Sequence, residues 1–346
     1  MGLKKIFRFV LFGPVSAFVY GILWFRHRLY DWHILKSRRF DIPVINVGNL
    51  NLGGSGKTPM VEYLSRFLLS KNKKVAVLSR GYKRKTKGFV LADEKALPEN
   101  IGDEPYQIYL KFKNSAFCLA VAENRAEGIT KLQENCRPDV IILDDAFQHR
   151  RIQAGMNILL TLFDKTFDED SLFPLGNLRD LPDRARAADM IVVTKSPQGA
   201  NKRKKEIEKR LKIYGKEIFF SYLAHENPVN QAGGQISWDE LRQKNVLLIT
   251  GIARVEPLYR FLNAKKIKFA SIAFPDHAKY GNKELNEIRK MMERKKIDVV
   301  LTTEKDFYKL KNKIEALYYI PVRAEIEEKE KFNQKILNYA NTGKFV

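Results

Sequence analysis

Val47-Gly48-Asn49-Leu50-Asn51-Leu52-Gly53-Gly54-Ser55-Gly56-Lys57-Thr58 restricts the fold of this chain more than any other stretch. An apolar run at residues 42–47 precedes it, and Met60, Leu64, Phe67 and Leu68 follow at helical spacing. Strand, glycine-rich turn and helix in that order form a phosphate-binding loop. Asn51, Gly53, Gly54, Ser55 and Gly56 supply a backbone whose N–H groups can turn inward on phosphate oxygens, and the helix adds the positive end of its dipole. Lys57 is then placed to reach the β- and γ-phosphates, and the Thr58 hydroxyl to bind Mg²⁺. Asn51 stands where the usual pattern has its first glycine. A glycine turn capping an ordinary helix is the alternative, and the matching strand and helix favour the phosphate loop.

A second signal lies downstream, where four apolar residues, Val140 to Leu143, lead into Asp144 and Asp145. Alone, such a strand ends as often in an Asp that caps the next helix. Behind a glycine loop it reads as the carboxylate pair that holds Mg²⁺. Further strand-like runs at residues 74–78, 116–121, 157–163, 190–194 and 217–223 alternate with helical periods. After Gly233-Gly234 a second series begins, with strands at 246–250, 268–273, 299–302 and 316–322 and helices at 255–262 and 285–294. The pattern predicts an α/β protein with a P-loop NTPase-like, mostly parallel sheet flanked by helices and a second, smaller α/β lobe. The expected divisions are an apolar helix at 1–35, a nucleotide-binding domain at 36–225 and the smaller lobe at 226–346. A ligand site between the lobes is the expectation.

The amino-terminal segment carries no charge from Phe9 to Phe25, with Lys4, Lys5 and Arg8 before the run and Arg26 and Arg28 after it. Its length is at the lower limit for spanning, and Gly13, Pro14 and Gly21 interrupt it. Bases on both sides and the amphipathic rings of Tyr20, Trp24 and Tyr30 favour a helix seated in a membrane surface, with a buried core helix as the alternative. No small-residue cleavage pattern follows it. Lysine and arginine number 62 against 40 acids, a formal charge of +22, so polyanions are the expected partners: nucleic acid, an anionic bilayer or phosphorylated substrates. The two cysteines, Cys118 and Cys136, have neither metal spacing nor a disulfide framework, which fits a reducing compartment. Asp103, in Gly102-Asp103-Glu104-Pro105, reads on spacing alone as a helix cap.

Taken together, the motifs resemble those of the tetraacyldisaccharide 4'-kinase family. The resemblance rests on Val47 to Pro59, Ser79-Arg80-Gly81-Tyr82, Gly102-Asp103-Glu104-Pro105 and Asp144-Asp145-Ala146-Phe147-Gln148-His149-Arg150. It continues through Pro174-Leu175-Gly176-Asn177-Leu178-Arg179, Val193-Thr194-Lys195, Thr250-Gly251-Ile252-Ala253, Phe274-Pro275-Asp276-His277 and Thr302-Thr303-Glu304-Lys305-Asp306. Asn177 and Asp180 depart from the family pattern. The resemblance implies transfer of the ATP γ-phosphate to the 4'-hydroxyl of a lipid A disaccharide 1-phosphate, with Mg²⁺. It further implies attachment to the cytoplasmic face of the bacterial inner membrane through the amino-terminal helix, and catalytic roles for Asp103 and His277 beside Lys57. A His oriented by a carboxylate can take the acceptor hydroxyl's proton at neutral pH.

Three other functions are disfavoured by particular residues. Partitioning-type ATPases carry a lysine before the paired glycines, where this chain has Leu52. A GTPase needs a carboxylate in the run comparable to Thr194-Lys195-Ser196-Pro197, where this chain has Pro197. Nucleic-acid binding is suggested by charge alone, without a stacking motif or readout helix, so no nucleic-acid partner is expected.

Overall fold

The computed structural model of the chain describes residues 3–252, 255–275 and 278–344, except for the side chains of residues 3–6 and 8. Helix α1 (Leu3–Asp31) opens it and runs unbroken through Gly13, Pro14 and Gly21, although Pro14 offers no N–H to the Val10 carbonyl. The core-helix alternative does not hold, because Phe7, Phe9, Val10, Phe18 and Phe25 are each more than half exposed. Phe9–Asp31 is long and apolar enough to cross a membrane. The protein-facing side of α1 is polar in two places. The Ser16 hydroxyl donates to the Leu172 carbonyl at 3.2 Å and accepts from the Leu175 N–H at 3.1 Å, and His27 is buried.

The chain forms two compact units, Met1–Leu223 with Ala324–Val346, and Ala224–Arg323. In the first, β1 (Val44–Asn49) leads into α2 (Lys57–Ser70), β2 (Val75–Ser79), the short β3 (Val90–Leu91), α3 (Pro98–Ile101) and α4 (Asp103–Phe112). Next come β4 (Phe117–Val121), α5 (Arg125–Cys136), β5 (Val140–Asp144), β6 (Met156–Leu162), β7 (Met190–Thr194), α6 (Asn201–Leu211) and β8 (Glu217–His225). Strands β1, β2, β5 and β7 are buried along their whole length, which is why they read as continuous apolar runs rather than alternating ones. Ile45 and Val47 of β1 join Leu64 of α2 and Ile108 of α4 on one face. Val44 of the same strand joins Leu78 of β2 and Ile129 of α5 on the other. Helices therefore cover both faces of a mostly parallel sheet, in which β3 runs antiparallel to β4.

The second unit holds β9 (Val229–Asn230), α7 (Trp238–Leu241), β10 (Val246–Thr250), α8 (Glu256–Ala264), β11 (Phe269–Ala273), α9 (Asn282–Lys295), β12 (Val299–Thr303), α10 (Glu304–Leu310) and β13 (Leu317–Ile320). Its sheet runs β11-β10-β12-β13-β9, with the first four strands parallel and β9 antiparallel. The expectation that everything from 226 onward belongs to this lobe needs correction. The chain leaves it at Arg323, and β14 (Val322–Ile326) and α11 (Lys329–Thr342) belong to the nine-stranded sheet and core of the first unit. The run at 316–322 looked like one strand, but Pro321 separates β13 from β14. Phe332, Ile336 and Tyr339 of α11 bury themselves in the β1–α2 core, and the Tyr339 hydroxyl donates to the Val44 carbonyl at 3.0 Å.

The nine strands are ordered β14-β8-β7-β6-β1-β5-β2-β4-β3. Because β5 lies beside β1 in parallel register, with Val47 opposite Asp144, the two signals read from the sequence meet at one end of the sheet.

Candidate active site

The glycine loop is held from behind. The Thr194 hydroxyl donates to the Ser55 carbonyl at 2.8 Å and the Lys195 ammonium to the Gly54 carbonyl at 2.9 Å. The Leu52 N–H meets the Asn177 carbonyl at 2.7 Å, and the Arg179 N–H the Leu50 carbonyl at 2.8 Å. The residues weighed as a guanine-recognition run are thus the loop's supports. Gly56 caps α2 with φ +84°, a backbone that L side chains rarely adopt, and it sits against Thr194. Gly48 is needed for another reason. A Cβ there would lie 2.5 Å from that of Phe147, so only glycine lets the Asp145–Phe147 turn close over β1. Asn51, in the position of the missing first glycine, donates from its amide to Asp170 at 3.1 Å.

Lys57, the first residue of α2, reaches back to the Asn49 side-chain oxygen at 3.3 Å and to Asp145 at 3.7 Å. Asp145 itself has φ +57° and is gripped by Arg179, whose guanidinium donates to both carboxylate oxygens and to Asn49. Burial pushes this carboxyl up, but the Arg179 hydrogen bond and the Lys57 charge outweigh it and hold the group below the usual carboxylate range. Its neighbour behaves in the opposite way. Asp144 is buried at the end of β5 and accepts one hydrogen bond, from Ser79 at 2.9 Å, while its Oδ1 has no partner among the described residues. Burial, with the nearby Glu104 and Asp145 carboxylates, raises Asp144 to about 6. Two adjacent acids are therefore differentiated, one neutralised by arginine and one left with a free oxygen at the loop.

The Thr58 hydroxyl hydrogen-bonds the Glu104 carboxylate at 3.2 Å, which brings the start of α4 to the start of α2. Asp103 is the first residue of α4, half-buried, and the cap is Gly102 with no side-chain cap bond. Asp103 thus lies in the first turn of α4, where the positive end of the helix dipole favours a carboxylate, and not at the N-cap itself. His277 lies outside the described residues. Four residues near the site had no individual role in the sequence reading: Ser79, Glu104 and Arg179, which appeared only inside motifs, and Arg125, which appeared in none. Arg125 is buried at the start of α5, near Asp144, and desolvation pulls it down to about 10. With Arg80 it contributes, after burial, to holding His149 down at about 4, so His149 is neutral at physiological pH. The only sequence signal for Arg179 was its place in the Pro174 to Arg179 segment.

A parallel sheet with a glycine loop, a lysine opening the following helix and a free strand-end carboxylate beside it defines a P-loop nucleotide-binding phosphotransferase site. The family model for Tetraacyldisaccharide-1-P 4'-kinase matches residues 8–341, and the chain belongs to that family. It is 42% identical over 330 residues to a tetraacyldisaccharide 4'-kinase of Flavobacterium johnsoniae, covering 93% of this chain and 95% of that one. A Bacteroides thetaiotaomicron protein of the same name is 37% identical over 351 residues, with 94% and 92% covered. Among solved structures, LpxK from Aquifex aeolicus in complex with ATP superposes with a TM-score of 0.78 at 32% identity, covering 96% of this chain and 98% of that one.

Proposed function

We propose that the protein transfers the γ-phosphate of ATP to the 4'-hydroxyl of tetraacyldisaccharide 1-phosphate, forming lipid IVA in lipid A biosynthesis. The observation that carries this reading is the meeting of Lys57 and the Asp144–Asp145 pair at one sheet end, in a chain of this family. Asn51, Gly53, Gly54, Ser55 and Gly56 would cradle the phosphates by their backbone, and Lys57 would neutralise charge developing on the transferred group. Among the described residues no three His, Cys, Asp or Glu side chains gather into a metal cage. Mg²⁺ needs no such cage, since one or two carboxylates plus nucleotide oxygens and waters complete its shell. The free Oδ1 of Asp144 and the Thr58 hydroxyl fit that requirement, with Asp145 as the second carboxylate. When bound there, the ion supplies charge compensation to the β- and γ-phosphates.

Asp103, at the start of α4, pairs in this proposal with His277 to accept the proton of the attacking hydroxyl. The exposed apolar flank of α1 and the charge of +22 suit an anionic bilayer surface, and we place the protein on the cytoplasmic face of the inner membrane. The test is phosphate transfer from labelled ATP to a detergent-dispersed tetraacyldisaccharide 1-phosphate. Labelled lipid that requires Mg²⁺ and is unaffected by DNA or RNA is the expected result. Absence of any labelled lipid ends the proposal.

A further inference from the structure

The last two turns of α1 are built into the nucleotide site. His27, only 5% exposed, donates from Nε2 to Asp180 Oδ1 at 2.6 Å, and Asp180 is fully buried. Residue 179 is the arginine that clamps Asp145 and Asn49, and Asn49 also receives Lys57. A hydrogen-bonded path therefore runs from α1 through Asp180 and its neighbour Arg179 to the phosphate-binding lysine. Two more straps join it. Arg26 donates to the Gln148 carbonyl at 2.9 Å, and the Gln148 amide donates to the Asn49 carbonyl at 2.8 Å. Arg150 donates to the His27 carbonyl and to Asp31, both at 2.8 Å.

A helix that served only as an anchor would not need this chemistry. Burying a carboxylate against an imidazole carries a desolvation penalty that apolar side chains of similar volume avoid. Asp180 Oδ2 and His27 Nδ1 are in addition buried without partners among the described residues. What a directional hydrogen bond supplies, and apolar packing does not, is a defined angle between the groups it joins. The backbone at residues 178–181 is irregular; Leu178 and Leu181 are buried, and backbone hydrogen bonds to Leu50, Ser171 and Phe173 hold its path. Asp180 Oδ1 also accepts from the Leu181 N–H at 2.9 Å, so the His27–Asp180 pair adds the link to α1.

We propose that His27 and Asp180 are positioning residues for the nucleotide site: their buried pair sets the segment that aims Arg179 at Asp145 and Asn49. The seating of α1 is thereby coupled to the geometry around Lys57. Truncating the helix would then disturb the site as well as release the protein from membranes. The activity readout rests on the kinase reading above, whereas nucleotide binding does not.

The experiment compares full-length protein with His27→Ala, His27→Gln, Asp180→Asn, Arg179→Lys and the His27→Ala/Arg179→Lys double variant, all in the same vesicles. His27→Ala should lower kcat about tenfold while KM for the lipid and partition onto vesicles stay unchanged. The double variant should fall no more than about twofold below Arg179→Lys alone, because residues acting through one another are non-additive. His27→Gln, whose amide nitrogen can reach the position of Nε2, should recover most of the loss. Titration with ATP on the same set should show Kd shifts with the same non-additivity, a result readable even if the lipid proves not to be the acceptor. Normal kcat and Kd in folded His27→Ala, or losses that multiply in the double variant, overturn the proposal. So does a kcat loss that merely follows loss of vesicle binding. If His27→Ala does not fold, Asp180→Asn combined with Arg179→Lys decides by the same criterion.

Discussion

Two strand ends, one in each unit, carry acids in similar sequence settings and use them differently. At the end of β5, Asp144 accepts a side-chain hydrogen bond from Ser79, and its buried Oδ1 has no partner among the described residues. Beyond β12, Asp306 directs Oδ2 at its own fold, accepting from the Gly251 N–H at 2.8 Å and from the Thr303 hydroxyl at 2.7 Å. Thr303 in turn caps α10 by accepting from the Asp306 N–H. Oδ1 of Asp306 is likewise buried without a partner among the described residues, so the two acids differ at Oδ2, which in Asp306 ties the exit of one strand to the helix after another. In the function proposed above, Asp144 serves a ligand instead. Substitutions in the first unit should therefore cost activity, and those at the second strand end should cost stability.

Lys57→Ala should test that contrast most strongly. Turnover should fall by about two to four orders of magnitude, as expected for removing a preorganised charge at the transferred group. The melting temperature should hardly move, since the Lys57–Asp145 contact is partly exposed and Arg179 remains on Asp145. A variant that melts early with near-normal turnover per folded molecule would reverse the assignment of the first strand end.

The next effect in size is a pH dependence. Asp144 lies at about 6 in the fold against an ordinary 3.8, so its ionised form is the one the fold disfavours. Without divalent cation, stability from this group is present at low pH and is lost as pH rises from about 4 through 6. Asp144→Asn should then be more stable than the parent above pH 6 by about 3 kcal/mol, with the gap closing near pH 4, while turnover is abolished. Denaturant unfolding in chelator at several pH values measures this. A parent protein whose stability rises across that interval relative to the variant would contradict it.

In the second unit, Asp306→Ala should cost about 2–3 kcal/mol, because it removes the acceptor of the Gly251 N–H and of the Thr303 O–H. Its affinity for ATP should match the parent's, and an ATP Kd raised tenfold at unchanged stability would mean that this acid too serves a ligand. The smallest change is expected at Ser237, which accepts from the Glu240 N–H at 3.2 Å while Glu240 reaches back to the Ser237 N–H at 2.8 Å. Ser237→Ala should cost about 1 kcal/mol and leave activity alone.

Local chemistry was enough to read the strand–loop–helix at 44–70, the carboxylate pair after β5, the alternation of strands and helices and the apolar amino terminus. Glycine loops, apolar runs and helical periods are encoded within a few residues of one another, so sequence carries them directly. Spacing likewise put Asp103 at the start of a helix, and it lies in the first turn of α4 with Gly102 at the cap position. Other features depend on residues far apart in the chain. Arg179 reaches Asp145 and Asn49 only because the segment after residue 170 folds back along β1. The opposed environments of Asp144 and Asp145 follow from which neighbour lies in the fully buried strand and which in the turn with positive φ. No local pattern announces that Ala324 onward returns to the first sheet, because β14 and α11 look like any other strand and helix until Tyr339 is seen bonded to Val44. His27 stands between two arginines in the flank of the apolar run, with no local signal of a role, and only the tertiary fold buries it against Asp180. Element type is set by short-range backbone and side-chain preferences, whereas charge state and hydrogen-bond partner are set by burial and by contacts between distant segments.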